Sequence, residues 1–272
     1  MRARRVLTTG ANGAIGLATV LELARRGHHA IGTVRSQAAA ETVERAARER
    51  RVDVEIHRLD VDDPDAAAAL IDRVRPEVLV NNAGRALLGA IETTPEDEAR
   101  ALFETLVFSS LRLARLAVPS MREAGFGRIV FVGSLFGRIA MPPLGWYAAA
   151  KHALEALSDV LRVELAGAGI DVVLLEPGGV RSNMLERAHE GSRNEDGDRY
   201  AKAERLAWEW LVRTDFLRSD PIEVARVVAR AIEVEHPEPR YLVGVDAKIL
   251  ARLAPIVPSW LSDRVTRLVQ GL

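Results

Sequence analysis

No cysteine occurs among the 272 residues, which excludes disulfides, thiolate catalysis and thiolate-bound zinc. Aromatic residues make up only 5%, and three lysines stand against thirty-four arginines, so each tyrosine and each lysine is a scarce residue whose position carries information. No run of about 18 apolar residues is present, which argues against a membrane-spanning helix, and no apolar leader core precedes the first strand. The expectation is therefore a soluble, cytoplasmic protein. A formal net charge of −1 leaves no basic footprint for nucleic acid, and no spacing of ligand residues points to a metal. Hydrophobic residues reach 48%, enough for one large domain with a substantial core.

Short apolar runs alternate with longer helical patterns, the signature of βαβ units around a parallel sheet. Strands are expected at 5–9, 30–34, 54–59, 78–81, 128–132, 171–175 and 240–243. Helices are expected at 14–26, 38–50, 64–74, 95–123, 147–166 and 221–235. Asp63-Pro64 and Asp220-Pro221 each pair an N-cap acid with proline at the first helical position. The expected fold is α/β, a single Rossmann domain over 1–272 with a doubly wound seven-stranded parallel sheet and helices on both faces. The stretch 182–219 breaks the rhythm, polar from Gly191 to Asp198 and then aromatic at Trp208, Trp210 and Phe216. It follows strand six at the ligand-binding edge of such a sheet, and a lid over a pocket is expected there.

Tyr147 and Lys151 stand four apart, and Ser134 lies thirteen residues before the tyrosine. Positions i and i+4 share a helix face, so the ammonium can lie beneath the phenol. A free phenol has a pKa of about 10, and a nearby cation is expected to lower it toward the working range of an acid/base catalyst. Ser134 is placed to hold a substrate oxygen.

At the other end of the chain, Gly10-Ala11-Asn12-Gly13-Ala14-Ile15-Gly16 follows the first strand and opens the first helix. Glycines there let the backbone turn and approach a pyrophosphate, which a helix N-terminus favours. Asp60-Val61 and Asn81-Asn82-Ala83-Gly84 end strands three and four and add two more edges to the same crevice.

Taken together, these motifs resemble the short-chain dehydrogenase/reductase family in its classical form. The glycine loop, the Asn81–Gly84 turn, Ser134, Tyr147 with Lys151, and Pro177-Gly178-Gly179-Val180-Arg181-Ser182 all come in family order. The resemblance implies Ser134, Tyr147 and Lys151 as catalytic residues. It implies that Gly10, Asn12, Gly13, Ala14, Ile15 and Gly16 cradle a dinucleotide, with Asp60 and Val61 at the adenine and Asn82, Ala83 and Gly84 at the ribose region. Tyr147 and Lys151 would face the nicotinamide ribose, and Pro177, Gly178, Val180 and Ser182 the nicotinamide amide. Strand two ends in Arg35 with no carboxylate. A cation suits a 2′-phosphate, so NADP(H) is expected rather than NAD.

Two departures stand out. The family's middle loop glycine falls at Ala14, and here glycine sits one earlier, at Gly13. The family's catalytic asparagine, thought to hold a water linking the lysine to solvent, falls at Leu106. Two readings follow: an active reductase whose relay is modified, with Ser110 one turn along as a stand-in, or a dinucleotide-binding homologue with weak or no turnover.

Leu135, Phe136, Met141, Leu144 and Trp146 near the site, with Met184, Leu185, Trp208 and Trp210 in the lid, suggest an apolar secondary alcohol or ketone as substrate. The ending looks like the 17-beta-hydroxysteroid and retinol dehydrogenase branch, which implies steroid, retinoid or long-chain carbonyl compounds. The amphipathic tail 246–272 is expected to pack on its own domain or on a second copy, in preference to a membrane surface. Helices 101–122 and 147–166 resemble those that pair across the family's dimer axis, implying a homodimer or homotetramer.

Overall fold

The computed structural model describes residues 2–190, 200–213 and 218–271, with backbone alone at 210–213. Seven parallel strands form one sheet: β1 Arg5–Thr8, β2 His29–Val34, β3 Val54–Arg58, β4 Val78–Asn81, β5 Gly127–Val132, β6 Ile170–Pro177 and β7 Arg240–Val243. Their order is 3-2-1-4-5-6-7, so the direction of winding reverses between β1 and β4. That reversal opens a crevice at the carboxyl ends of the strands, where ligands bind in sheets of this kind.

Strand residues alternate between two apolar layers. Val6, Val78, Val80, Val130, Val132 and Val173 face one core, while Leu7, Leu79, Ile129, Phe131, Val172 and Leu174 face the other. A sheet buried on both faces reads as a continuous apolar run, as these strands do. The first core is closed by α1 Ala14–Arg25, α2 Gln37–Arg50 and α9 Pro221–Glu233. The second is closed by α3 Pro64–Val74, α5 Ser109–Glu123 and α6 Gly145–Leu165. The expected caps form: Asp63 accepts from the backbone N–H of Asp65 and Ala66, and Asp220 from that of Ile222.

The helix expected over 95–123 is interrupted. It runs as α4 Glu96–Phe103, a π-helical turn at Glu104–Phe108, then α5. The Thr105 hydroxyl donates to Asp62 Oδ2 at 2.6 Å, and the Ser109 hydroxyl donates back to the Thr105 carbonyl at 2.7 Å. These side-chain bonds hold the widened turn, a feature that often accompanies functional sites.

Beyond β6 come α7 Met184–Glu190 and α8 Ala201–Arg213, tied together by His189 stacked on Trp208 at 4.4 Å. Gly191 to Asp198 and Phe216, expected in the lid, lie outside the described residues, as does the Trp210 side chain. The chain ends in α10 Val245–Leu253 and α11 Ser259–Gln270. Of the two arrangements expected for the tail, packing of its apolar side on its own domain does not occur: Trp260, Val265 and Leu268 are exposed. Among the described residues no helix is long and apolar enough to cross a membrane.

Candidate active site

The glycine loop is built by steric necessity at two positions. Gly10 has φ +66°, a left-handed conformation, and a Cβ there would stand 2.9 Å from Ala83 Cα. A Cβ on Gly16 would collide with the Gly10 carbonyl and the Asn82 amide. The loop therefore lies flat against the turn after β4, with the amino end of α1 open toward the crevice. Gly13 is under less constraint, since a Cβ would meet only the Gly10 carbonyl at 3.4 Å. Displacement of the middle glycine by one residue thus leaves the two tight contacts in place.

Thr9 knits these pieces together, and nothing but its place before Gly10 signalled it. Its hydroxyl accepts from the backbone N–H of Asn82 at 3.0 Å and of Ala83 at 2.9 Å. The Asn82 amide donates in return to the Thr9 carbonyl at 2.8 Å and, more weakly, to that of Gly10. Asn82 is thus committed to holding the loop. Val61 is buried in the second core, and Asp60 turns its carboxylate to the backbone N–H of Asp62.

Arg35 is exposed just past β2 and has no ion-pair partner among the described residues. Arg58, absent from the sequence reading, is also exposed and pairs in register with Val34, next to Arg35. Strand register, which composition does not reveal, sets Arg58 on the strand beside the end of β2.

The candidate chemical centre forms at the ends of β5 and β6. Ser134 follows β5, and its hydroxyl accepts from Phe136 N–H at 3.2 Å. Tyr147 and Lys151 lie on α6 as the spacing requires, the ammonium 5.7 Å from the phenol ring centroid. Lys151 Nζ donates to the Val132 carbonyl at 2.8 Å. Burial pushes the Tyr147 phenol up to about 12, with the Ser134 hydroxyl pulling against it. Burial pushes the Lys151 ammonium down to about 8, opposed by the charge of Glu155. The direction is opposite to the lowering expected from the lysine, because burial disfavours the phenolate. The phenol is held in its proton-bearing form.

Glu155 lies one turn beyond Lys151, its Oε1 buried with no hydrogen-bond partner among the described residues. Its other oxygen is ion-paired with Arg240, which also engages Glu176 and Asp159. The sequence offered no sign of this cluster, since Glu155 and Arg240 are 85 residues apart.

Tyr147 sits in an apolar shell with Leu88, Leu102, Leu106, Val107 and Leu144, against which Phe136, Trp146, Met184 and Leu185 pack. Leu106 is buried at the centre of the π turn, and Ser110, its expected stand-in, is buried one turn along with its carbonyl accepting from the Asn81 amide. Leu135 leaves the expected lining, because it packs instead with Ala247 and Ala251 under α10. The loop from Pro177 to Ser182 is fixed by Asp246, whose carboxylate lies over Gly178 and accepts from Gly179 N–H at 2.6 Å. A cavity of about 710 Å3 lined by Arg4, His28, Phe126 and Arg128 opens at the opposite, amino-terminal edge of the sheet and contains none of the expected site residues.

The family model for short chain dehydrogenase matches residues 4–193. The chain is 32% identical to the probable short-chain type dehydrogenase/reductase VdlC of Helicobacter pylori, covering 96% of each. It is 31% identical to human 17-beta-hydroxysteroid dehydrogenase type 1, over 87% of this chain and 76% of the human one. A crystal structure of a short-chain dehydrogenase from Streptomyces avermitilis superposes with a TM-score of 0.81 at 32% identity, covering 97% of this chain and 98% of that one.

Proposed function

The chain belongs to the short-chain dehydrogenase family of oxidoreductases, and on that premise we propose that it interconverts a hydrophobic secondary alcohol and its ketone with NADP(H), using Tyr147 as the acid/base. The observation that carries this reading is a buried, proton-bearing phenol beside Ser134 and Lys151, enclosed by an apolar shell.

A bound nicotinamide cofactor would supply or accept the hydride at the carbonyl carbon. In the reducing direction the Tyr147 hydroxyl gives its proton to the carbonyl oxygen as the C–H bond forms. Ser134 donates a hydrogen bond to that oxygen and steadies its developing charge. Lys151 lies beside the phenolate that remains and offsets its charge. In the oxidising direction the same groups act in reverse, with the phenolate taking the alcohol proton.

The crevice fits a dinucleotide on its own geometry. Gly10 and Gly16 let the loop pack against the turn after β4 where any Cβ would collide, and the uncapped amino end of α1 that follows favours an anion. Arg35 and Arg58 favour a 2′-phosphate over a bare hydroxyl, because guanidinium groups grip phosphate with two parallel hydrogen bonds. The apolar shell favours steroid, retinoid or long-chain carbonyl compounds, and the relative that acts on hydroxysteroids supports that class.

Leu106 favours a second reading, a dinucleotide binder with weak turnover. An apolar side chain at that position has no polar group with which to anchor water near Lys151. NADPH oxidation across ketones and aldehydes, from steroids to short acetoacetyl esters, separates the two. Turnover with an apolar ketone supports the enzyme. Tight NADPH binding with no turnover on any of them supports the binder.

A further inference from the structure

α11 is an amphipathic helix mounted the wrong way round. Thr266 and Gln270, one turn apart, face the protein, and Gln270 is fully buried with its amide donating to the Pro142 carbonyl at 2.6 Å. On the other side Leu261, Val265, Leu268 and Val269 follow the i, i+4, i+7, i+8 spacing of a single stripe. That stripe points to solvent, with Leu268 76% exposed. α10 is exposed in the same way: Ala247 and Ala251 pack inward, while Ile249 and Leu253 stand outside. Ile256 and Trp260 bridge the two helices, both largely exposed. Scattered exposed leucines need no explanation, but an apolar stripe exposed along one helix, with further exposed apolar side chains on the helix before it, does.

The charges around it select the occupant. Lys248, Arg252, Arg264 and Arg267 rim the surface, against only Asp246 and Asp263, and Asp246 is turned inward onto Gly179. The tail is thus basic in a chain whose formal charge is −1. A two-fold contact between copies would set this cationic rim against itself. A different face, on the π turn and α6, exposes Phe108, Val160 and Val163, where the family resemblance expects copies to meet. An anionic bilayer satisfies both features at once, because it takes apolar side chains into its boundary and attracts lysine and arginine at its surface. Trp260 suits the headgroup level, with its apolar ring and one polar N–H.

We infer that α10 and α11 form a docking surface for an anionic lipid bilayer. Both helices are fastened to the crevice edge, α10 through Asp246 on Gly179 and α11 through Gln270 on Pro142, in the loops after β6 and β5. Docking would therefore hold the mouth of the apolar site beside the membrane, where hydrophobic carbonyl compounds partition. The docking surface itself does not depend on the cofactor or the substrate proposed above.

Flotation of the full chain with phosphatidylglycerol/phosphatidylcholine vesicles tests it. The wild-type chain is expected to float with these vesicles, less with pure phosphatidylcholine, and less again at high salt. Val265→Asp with Leu268→Asp should cut flotation at least about tenfold, with melting temperature unchanged because both side chains are solvent-exposed. Arg264→Glu with Arg267→Glu should abolish the preference for anionic vesicles. A wild-type chain that stays unbound to both vesicle types overturns the inference. So does an oligomer that Leu268→Asp dissociates without any vesicle binding, which would make the face a contact between copies.

Discussion

Leu106 closes over Gly84 so tightly that a Cβ added at 84 would stand 2.8 Å from its Cδ2. The π turn, the glycine after β4 and the phenol of Tyr147 are therefore packed as one unit, and a change at either residue reaches the site. Leu106→Asn should raise kcat, because an amide there can anchor water near Lys151 and speed proton delivery. The buried amide should lower stability by about 1–3 kcal/mol if it finds no partner, so kcat and melting temperature are measured together. A folded variant with unchanged or lower kcat shows that the protein relies on another relay.

Gly16→Ala should abolish dinucleotide binding. Its Cβ would press on the Gly10 carbonyl and the Asn82 amide, so the loop must lift away from the turn after β4. Gly13→Ala, with only one ordinary contact, should retain most binding. Fluorescence titration with NADPH distinguishes them, and equal losses contradict the steric account.

Arg35→Ala should weaken NADPH binding about ten- to a hundredfold, the scale of one or two charge-assisted hydrogen bonds, while changing NADH binding little. Arg58→Ala should act in the same direction, since register sets it beside Val34, the residue before Arg35. An equal loss for both cofactors would show that neither guanidinium meets the 2′ position.

Stability should fall as pH rises from about 4.5 through 7. Burial pushes Glu155 up to about 7, with Arg240 pulling against it and the charge of Glu176 adding to the rise. Lys151, Asp159 and Arg138 complete the charged surroundings of this cluster. Across that window the folded protein holds a proton that the unfolded chain has released, so raising the pH favours unfolding. Glu155→Gln should flatten the melting-temperature profile there. Lys151 acts with the opposite sign: its ammonium, pushed down to about 8, releases its proton earlier in the folded state, so stability recovers between about 8 and 10.5. An unchanged profile in Glu155→Gln would place the titration elsewhere.

Much of this was legible in the sequence. Strand positions followed from apolar runs, since strands buried on both faces carry little else, and α3 begins at Pro64 as its Asp63 cap foretold. The Tyr147 and Lys151 juxtaposition followed from helical spacing alone. The π turn did not, because whether a carbonyl takes its bond four or five residues on depends on Asp62 holding Thr105 across 43 positions. The raised phenol was equally hidden, since its cause is burial by residues from distant segments. Periodicity also reveals that α11 has an apolar face but not which face meets the protein; the bond from Gln270 to Pro142 decides that.

The central claim is that Tyr147 moves the proton, and single-turnover oxidation of NADPH by a hydrophobic ketone, compared between the wild-type chain and Tyr147→Phe, tests it most directly. The substitution removes one oxygen from a buried ring and leaves its shape. Wild-type turnover, a loss of about 100-fold or more in the variant, and unchanged NADPH affinity are the predicted result. Turnover in Tyr147→Phe within a few-fold of wild type would contradict the account, because another group would then be delivering the proton.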